Sequence, residues 1–219
     1  MDTYTSPDYD RAALVTIDVQ RDTLDGQPFE IPGTSRAVPH IARAVHFFRA
    51  RSQPIVHVVR LYKADGTNVD RCRRLLIERG GRLVIAGSDG AQLAPPLLPS
   101  SEVALDVDLL LAGEMQTIRP LEWIMYKPRW GAFFGTGLEQ HLRSLQVSTL
   151  VFAGCNFPNC PRTSIYEASE RDFRIVVLAD ALSGLYPVGR KELEGIGVWV
   201  VDTEEYVSAA AYLSSRGHD

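Results

Sequence analysis

Six short stretches of nearly uninterrupted apolar residues, rich in β-branched side chains, limit the folds open to this chain more than any other feature: residues 12–19, 54–59, 123–126, 147–153, 174–179 and 197–201. A strand with an apolar side chain at almost every position needs cover on both faces, which a parallel sheet between helices provides. The intervening segments carry helical spacing. Val38, Ile41, Val45 and Phe48 form one stripe, Leu138, Leu142 and Leu145 a second, and Ile165, Ala168 and Phe173 a less regular third. Strands alternating with helices predict right-handed crossovers and a doubly wound α/β fold, three layers deep, with helices on both faces of the sheet. With 219 residues and 45% hydrophobic content, residues 1–219 are expected to form a single domain around a full core.

Residues 72–119 fit this alternation poorly. Gly80-Gly81, Gly87, Gly90 and Pro95-Pro96 read as turns, and the stretch is expected to be a long excursion between the second and third strands, of the kind that builds a lid or a subunit contact. Arg71, Arg73 and Arg74 at its start are flanked by acidic and apolar residues and read as a solvated helix face.

A net charge of −4 gives no reason to expect nucleic acid or an anionic membrane as a partner. The first residues lack a basic start followed by a long apolar stretch, and no run reaches about 18 apolar residues, so a cytoplasmic protein is expected. The three cysteines, Cys72, Cys155 and Cys160, are an odd number and fit free thiols in a reducing compartment.

Open parallel sheets bind ligands beyond the carboxyl ends of their strands. Three reactive residues fall there: Asp18 near the end of the first run, Lys127 directly after the third, and Cys160 a short loop after the fourth. Singly, each has a plain structural use, since strand-end acids cap turns, lysines reach solvent and cysteines pack. Together they supply a nucleophile and its base. Pro161 suits the first turn of a helix, so the Cys160 thiol is expected at the positive end of a helix dipole, where thiolate is favoured. An ammonium from Lys127 would depress the thiol pKa further, and Asp18 would take the proton and return it to a leaving group. Amides at the start of the same helix would stabilise an oxyanion.

These residues sit in a longer pattern: Asp18 with Gln20, Lys127 with Trp130-Gly-Ala-Phe-Phe-Gly-Thr-Gly-Leu138, Gly154 with Cys160 six residues later, and Asp180-Ala181. From about residue 12 to residue 201 the chain resembles the isochorismatase-like cysteine hydrolases. That resemblance implies an Asp18–Lys127–Cys160 triad forming a covalent intermediate, a six-stranded, mainly parallel sheet, and a homo-oligomer, dimer or tetramer. It also implies a non-proline cis peptide at Cys155–Asn156, with the amides of Asn156 and Cys160 as the oxyanion hole. The loop from Cys155 to Arg162 departs from the wording common among nicotinamidases and isochorismatases, because Phe157, Pro158 and Pro161 reshape the pocket rim. Nicotinamidase-type members carry an Asp and paired histidines that bind metal. Here His57 lies inside the second strand run, and Asp65 and Asp70 have no histidine neighbours. No metal and no cofactor are expected.

Aromatic residues near the strand ends, Tyr62, Trp130, Phe134 and Phe157, are candidates for the wall of a small-molecule pocket, with Phe133 assigned to the core. Arg60 could grip a substrate carboxylate or pair with a loop acid. Gln20 could bind substrate or orient Asp18, and Cys155 is expected to pack. The first functional expectation is hydrolysis of a C–N bond in a small amide, carbamoyl or lactam substrate through an acyl-enzyme on Cys160. The alternatives are an enol-ether hydrolase using Asp18 as acid, and a catalytically silent scaffold or binding subunit.

Overall fold

The first apolar run becomes β1 (Ala12–Ile17), buried at each of its six residues. The pleat sends Ala13, Val15 and Ile17 to one face of the sheet and Ala12 and Leu14 to the other, each into its own apolar cluster. This is a computed structural model describing residues 3–216. The other strands are β2 (Ile55–Val59), β3 (Met115–Arg119), β4 (Glu122–Tyr126), β5 (Thr149–Gly154), β6 (Arg174–Leu182) and β7 (Trp199–Val201), and the sheet order is β3-β4-β2-β1-β5-β6-β7.

The helices are α1 (Thr34–Ala50), α2 (Arg71–Glu78), α3 (Val107–Leu111), α4 (Leu138–Ser144), α5 (Cys160–Ser169), α6 (Pro187–Gly195) and α7 (Thr203–Arg216). Residues of α1 and α7 cover one face of the sheet, and residues of α4, α5 and α6 cover the other. The expected three-layer architecture is therefore present. Among the described residues no helix is long and apolar enough to cross a membrane.

The sheet has seven strands where six were expected. The seventh, β3, comes from the 72–119 excursion and pairs antiparallel with β4 at the sheet edge, through a turn in which Leu121 takes φ 60°. None of its five residues is fully buried, so it lacks the continuous apolar signature that marks its neighbours. Much of the excursion is packed rather than loose: Leu83, Val84, Ile85, Leu93 and Leu110 join Val59, Leu61 and Ile124 in a third apolar cluster.

A buried polar network links β1, β2 and β4 to α1. His57 is hydrogen-bonded to Thr16 (2.8 Å) and Glu122 (3.1 Å), and Arg49 grips Glu122 through two nitrogens at 2.9 and 2.6 Å. Burial alone would raise the Glu122 pKa, but Arg49 and His57 outweigh it and pull the value down to about 2. His57 is committed to this network.

Candidate active site

The sheet delivers two of the three predicted reactive residues to either side of β2. The amide of Asp18 donates to the Val58 carbonyl at 2.9 Å and that of Lys127 to the Val59 carbonyl at 3.0 Å, so each sits one step beyond its own strand. Asp18 takes φ 54°, a left-handed conformation that Asp tolerates better than most residues. Gly154 ends β5 at φ 133°, so close to β1 that a Cβ there would stand 2.2 Å from the Ile17 carbonyl oxygen. That close approach, with the Cys155 amide bonded to the same carbonyl at 2.9 Å, aims the following loop at Asp18.

Lys127 is fully buried and its Nζ donates to Asp18 Oδ2 at 2.8 Å, with a longer contact to the Arg129 carbonyl at 3.4 Å. The other carboxylate oxygen, Oδ1, is buried without a conventional hydrogen bond. Cys160 opens α5, with Pro161 behind it in the first turn. The Asp18 carboxylate acts on its thiol as a nearby negative charge. Sequence positions 18, 127 and 160 thus meet at one end of the sheet.

The protonation state differs from the sequence expectation. Burial first, and the Asp18 charge second, push the Cys160 thiol up to about 11, and the opposing pull of Lys127 and Arg60 is too weak to reverse them. A low-dielectric site penalises the charged form, and a carboxylate beside it adds to the penalty. Burial and the Asp18 charge together favour the thiol over the thiolate.

The loop leading to Cys160 presents two uncommitted donors. The Phe157 amide goes to the Ser183 carbonyl and the Asn159 amide to the Asn156 carbonyl, while Pro158 and Pro161 have no N–H. Among the described residues no protein acceptor takes the amides of Asn156 or Cys160, and both residues line the cavity. The Cys155–Asn156 bond is not cis; there are no cis peptides among the described residues. The loop reverses instead through Gly154 and through Asn159 at φ −116°, ψ −109°. Cys155 is buried, donates its thiol to the Asp18 carbonyl at 3.0 Å, and is pushed up by burial to about 12.

A cavity of about 320 Å³ opens over Asp18 and Cys160. Gln20, Arg60 and Tyr62 line it as expected, but they are largely committed. Gln20 spans the Arg60 and Ala91 carbonyls (2.8 and 2.6 Å) and accepts the Arg60 amide (2.9 Å). Arg60 Nη1 is shared between Asp70 (3.0 Å) and the Pro128 carbonyl (2.8 Å), and the Tyr62 hydroxyl donates to Asp70 at 2.6 Å. The loop-acid reading of Arg60 is the one the geometry supports.

Three aromatic candidates lie off the cavity lining. Phe157 is fully buried against Tyr186, its ring in the space left by Gly189. Trp130 packs against the core, and Phe134 is 59% exposed. Phe133 is core, as expected. The apolar wall comes instead from Phe29 and Ile31, after β1, and from Leu76, Leu83 and Val84 of the excursion. The apolar run 83–85 was the available sequence signal for the latter. Asp70, which seats Arg60 and Tyr62, had none. Among the described residues no three His, Cys, Asp or Glu side chains cluster as a metal site.

Comparison with known proteins matches residues 12–106 and 111–205 to the isochorismatase domain. The chain is 31% identical over 179 residues to a probable inactive nicotinamidase of Arabidopsis thaliana, covering 80% of this chain and 82% of that one. It is 25% identical over 214 residues to an N-carbamoylsarcosine amidase of Arthrobacter sp, covering 94% of this chain and 72% of the other. An isochorismatase family protein from Desulfovibrio vulgaris subsp. vulgaris str. Hildenborough superposes with a TM-score of 0.76 at 30% identity, covering 94% of this chain and 99% of that structure.

Proposed function

Because the chain belongs to the isochorismatase family, we propose that it hydrolyses a C–N bond of a small amide, carbamoyl or lactam substrate through a thioester on Cys160. The observation that carries this reading is the buried Lys127–Asp18 ion pair at 2.8 Å, which leaves one carboxylate oxygen unpartnered beside the thiol at the head of α5.

Chemically, the Cys160 sulfur attacks the carbonyl carbon as its proton moves to Asp18. The carbonyl oxygen takes the negative charge and is held by the amides of Asn156 and Cys160, two donors with no competing acceptor among the described residues. Collapse breaks the C–N bond, and Asp18 returns the proton to the leaving nitrogen. Water then attacks the thioester, gives its proton to Asp18, and the departing sulfur recovers that proton. Lys127 stays charged throughout. It fixes the carboxylate and offsets negative charge on oxygen and sulfur. A relative named N-carbamoylsarcosine amidase supports a carbamoyl group as the electrophile.

Ammonia release from a panel of primary amides, N-carbamoyl compounds and lactams tests the assignment, with Cys160→Ser and Cys160→Ala as controls. Turnover lost in both variants while they remain folded is the expected result. Undiminished turnover, or hydrolysis that survives alkylation of Cys160, refutes it and points to acid catalysis by Asp18 alone.

A further inference from the structure

Two charged groups on the cavity wall, Glu30 and Arg73, have no ion-pair partner among the described residues. Asp18 is neutralised by Lys127, and Arg60 by Asp70. Glu30 receives the Gly26 amide at 2.5 Å. Arg73, in the first turn of α2, lines the same cavity, yet among the described residues its guanidinium has no ion pair and no hydrogen bond. Only its backbone amide is engaged, by the Asp70 carbonyl at 3.0 Å. Arg71 and Arg74 are exposed, as a solvated helix face requires, whereas Arg73 is half-buried. The arginine run is therefore divided: two members face water and one overlooks the site.

Building on the hydrolase reading above, we propose that Arg73 determines specificity by binding a carboxylate on the substrate, apart from the carbonyl under attack. A guanidinium matches a carboxylate with two parallel hydrogen bonds, and partial desolvation strengthens them. Among the described residues Arg60 is the only other arginine on the wall, and its Nη1 is divided between Asp70 and Pro128. Phe29, Ile31, Leu76, Leu83 and Val84 bring apolar side chains that suit a short hydrocarbon spacer and cannot hold an anion. The substrate class is thus an amide or ureido compound bearing a carboxylate a few atoms from the scissile group.

Calorimetric binding to the Cys160→Ala protein tests this without requiring turnover. The probes are ureido acids with one, two or three methylenes between the ureido nitrogen and the carboxylate, each beside its methyl ester. At least one acid should bind about tenfold more tightly than its ester. Adding Arg73→Met should abolish that preference, and Arg73→Lys should restore part of it, with melting temperatures confirming that every variant is folded. Equal binding of acid and ester, binding of neither, or a preference that survives Arg73→Met overturns the role of Arg73. Failure of the hydrolase reading registers separately, as absent ammonia release by the unsubstituted protein.

Discussion

The environment of Cys160 makes a prediction that separates two versions of the proposed mechanism. With the thiol pushed up to about 11, roughly two units above an unburied cysteine, the environment disfavours thiolate by about 3 kcal/mol. At pH 8 about one molecule in a thousand is then ionised, against roughly one in ten for an unburied cysteine on the same scale. Alkylation of Cys160 by iodoacetamide should therefore be slow and should accelerate about tenfold per pH unit from pH 6 to 10, because the thiolate is the reacting species. A Cys72→Ser background removes the exposed cysteine, and fragment-ion mass spectrometry then distinguishes alkylation at Cys160 from alkylation at Cys155.

Asp18→Asn sharpens the test. Burial is the main cause of the raised value and the Asp18 charge is next, so removing that charge should lower the thiol pKa and speed alkylation at pH 8 by about tenfold, or one pKa unit. The same substitution should abolish hydrolysis by removing the proton acceptor. A reactivity plateau below pH 8, or slower alkylation in Asp18→Asn, would mean a preformed thiolate and would refute the neutral-thiol mechanism.

Three further substitutions probe the frame around the site. Lys127→Met removes a fully buried cation from the partly buried Asp18 carboxylate and should cost about 3–5 kcal/mol in chemical denaturation; a loss under 1 kcal/mol would show that the pair is not sealed from water. Gly154→Ala places a Cβ 2.2 Å from the Ile17 carbonyl oxygen at φ 133°, so a loss of roughly 3 kcal/mol or more is expected, and an unchanged melting temperature would contradict the close approach of β5 to β1. Glu122 is held down to about 2, so its contribution of about 3 kcal/mol is present above the unfolded carboxylate pKa of about 4.3 and is lost as pH falls toward 2. Glu122→Gln should be less stable at pH 7 and flatter between pH 5 and 2. Parallel stability curves for the two proteins would remove Glu122 from the acid response.

The interior strands were legible because burial on both faces leaves few polar positions, β1 with six buried residues being the extreme case, and the edge strand β7, though half-buried, because all three of its residues are apolar. β3 was not, because a half-exposed edge strand obeys no such restriction. The positions of Asp18, Lys127 and Cys160 could be read because parallel strands share one carboxyl end. The pocket wall could not, because closeness along the chain to a strand end does not say which way a ring turns. Phe157 rotates under α6 into the gap at Gly189, while Phe29 and Leu83 arrive from segments with no reactive residue to draw notice.

The sign of the Cys160 shift lay beyond sequence for a different reason. A helix N-terminus and a lysine favour thiolate, whereas burial and a carboxylate oppose it, and these contributions are of comparable size. Only the geometry weighs them, and it assigns Lys127 to Asp18 at 2.8 Å, so its charge serves the carboxylate first. On the proposed mechanism that division matters. A neutral thiol is a poor target for stray electrophiles. It becomes a nucleophile when a carbonyl is seated on the amides of Asn156 and Cys160, so that negative charge can pass to oxygen as the proton passes to Asp18. Selectivity for a bound carbonyl would then come from the same burial that suppresses the free thiolate, and a substitution that lowers the thiol pKa should raise side reactivity while lowering turnover.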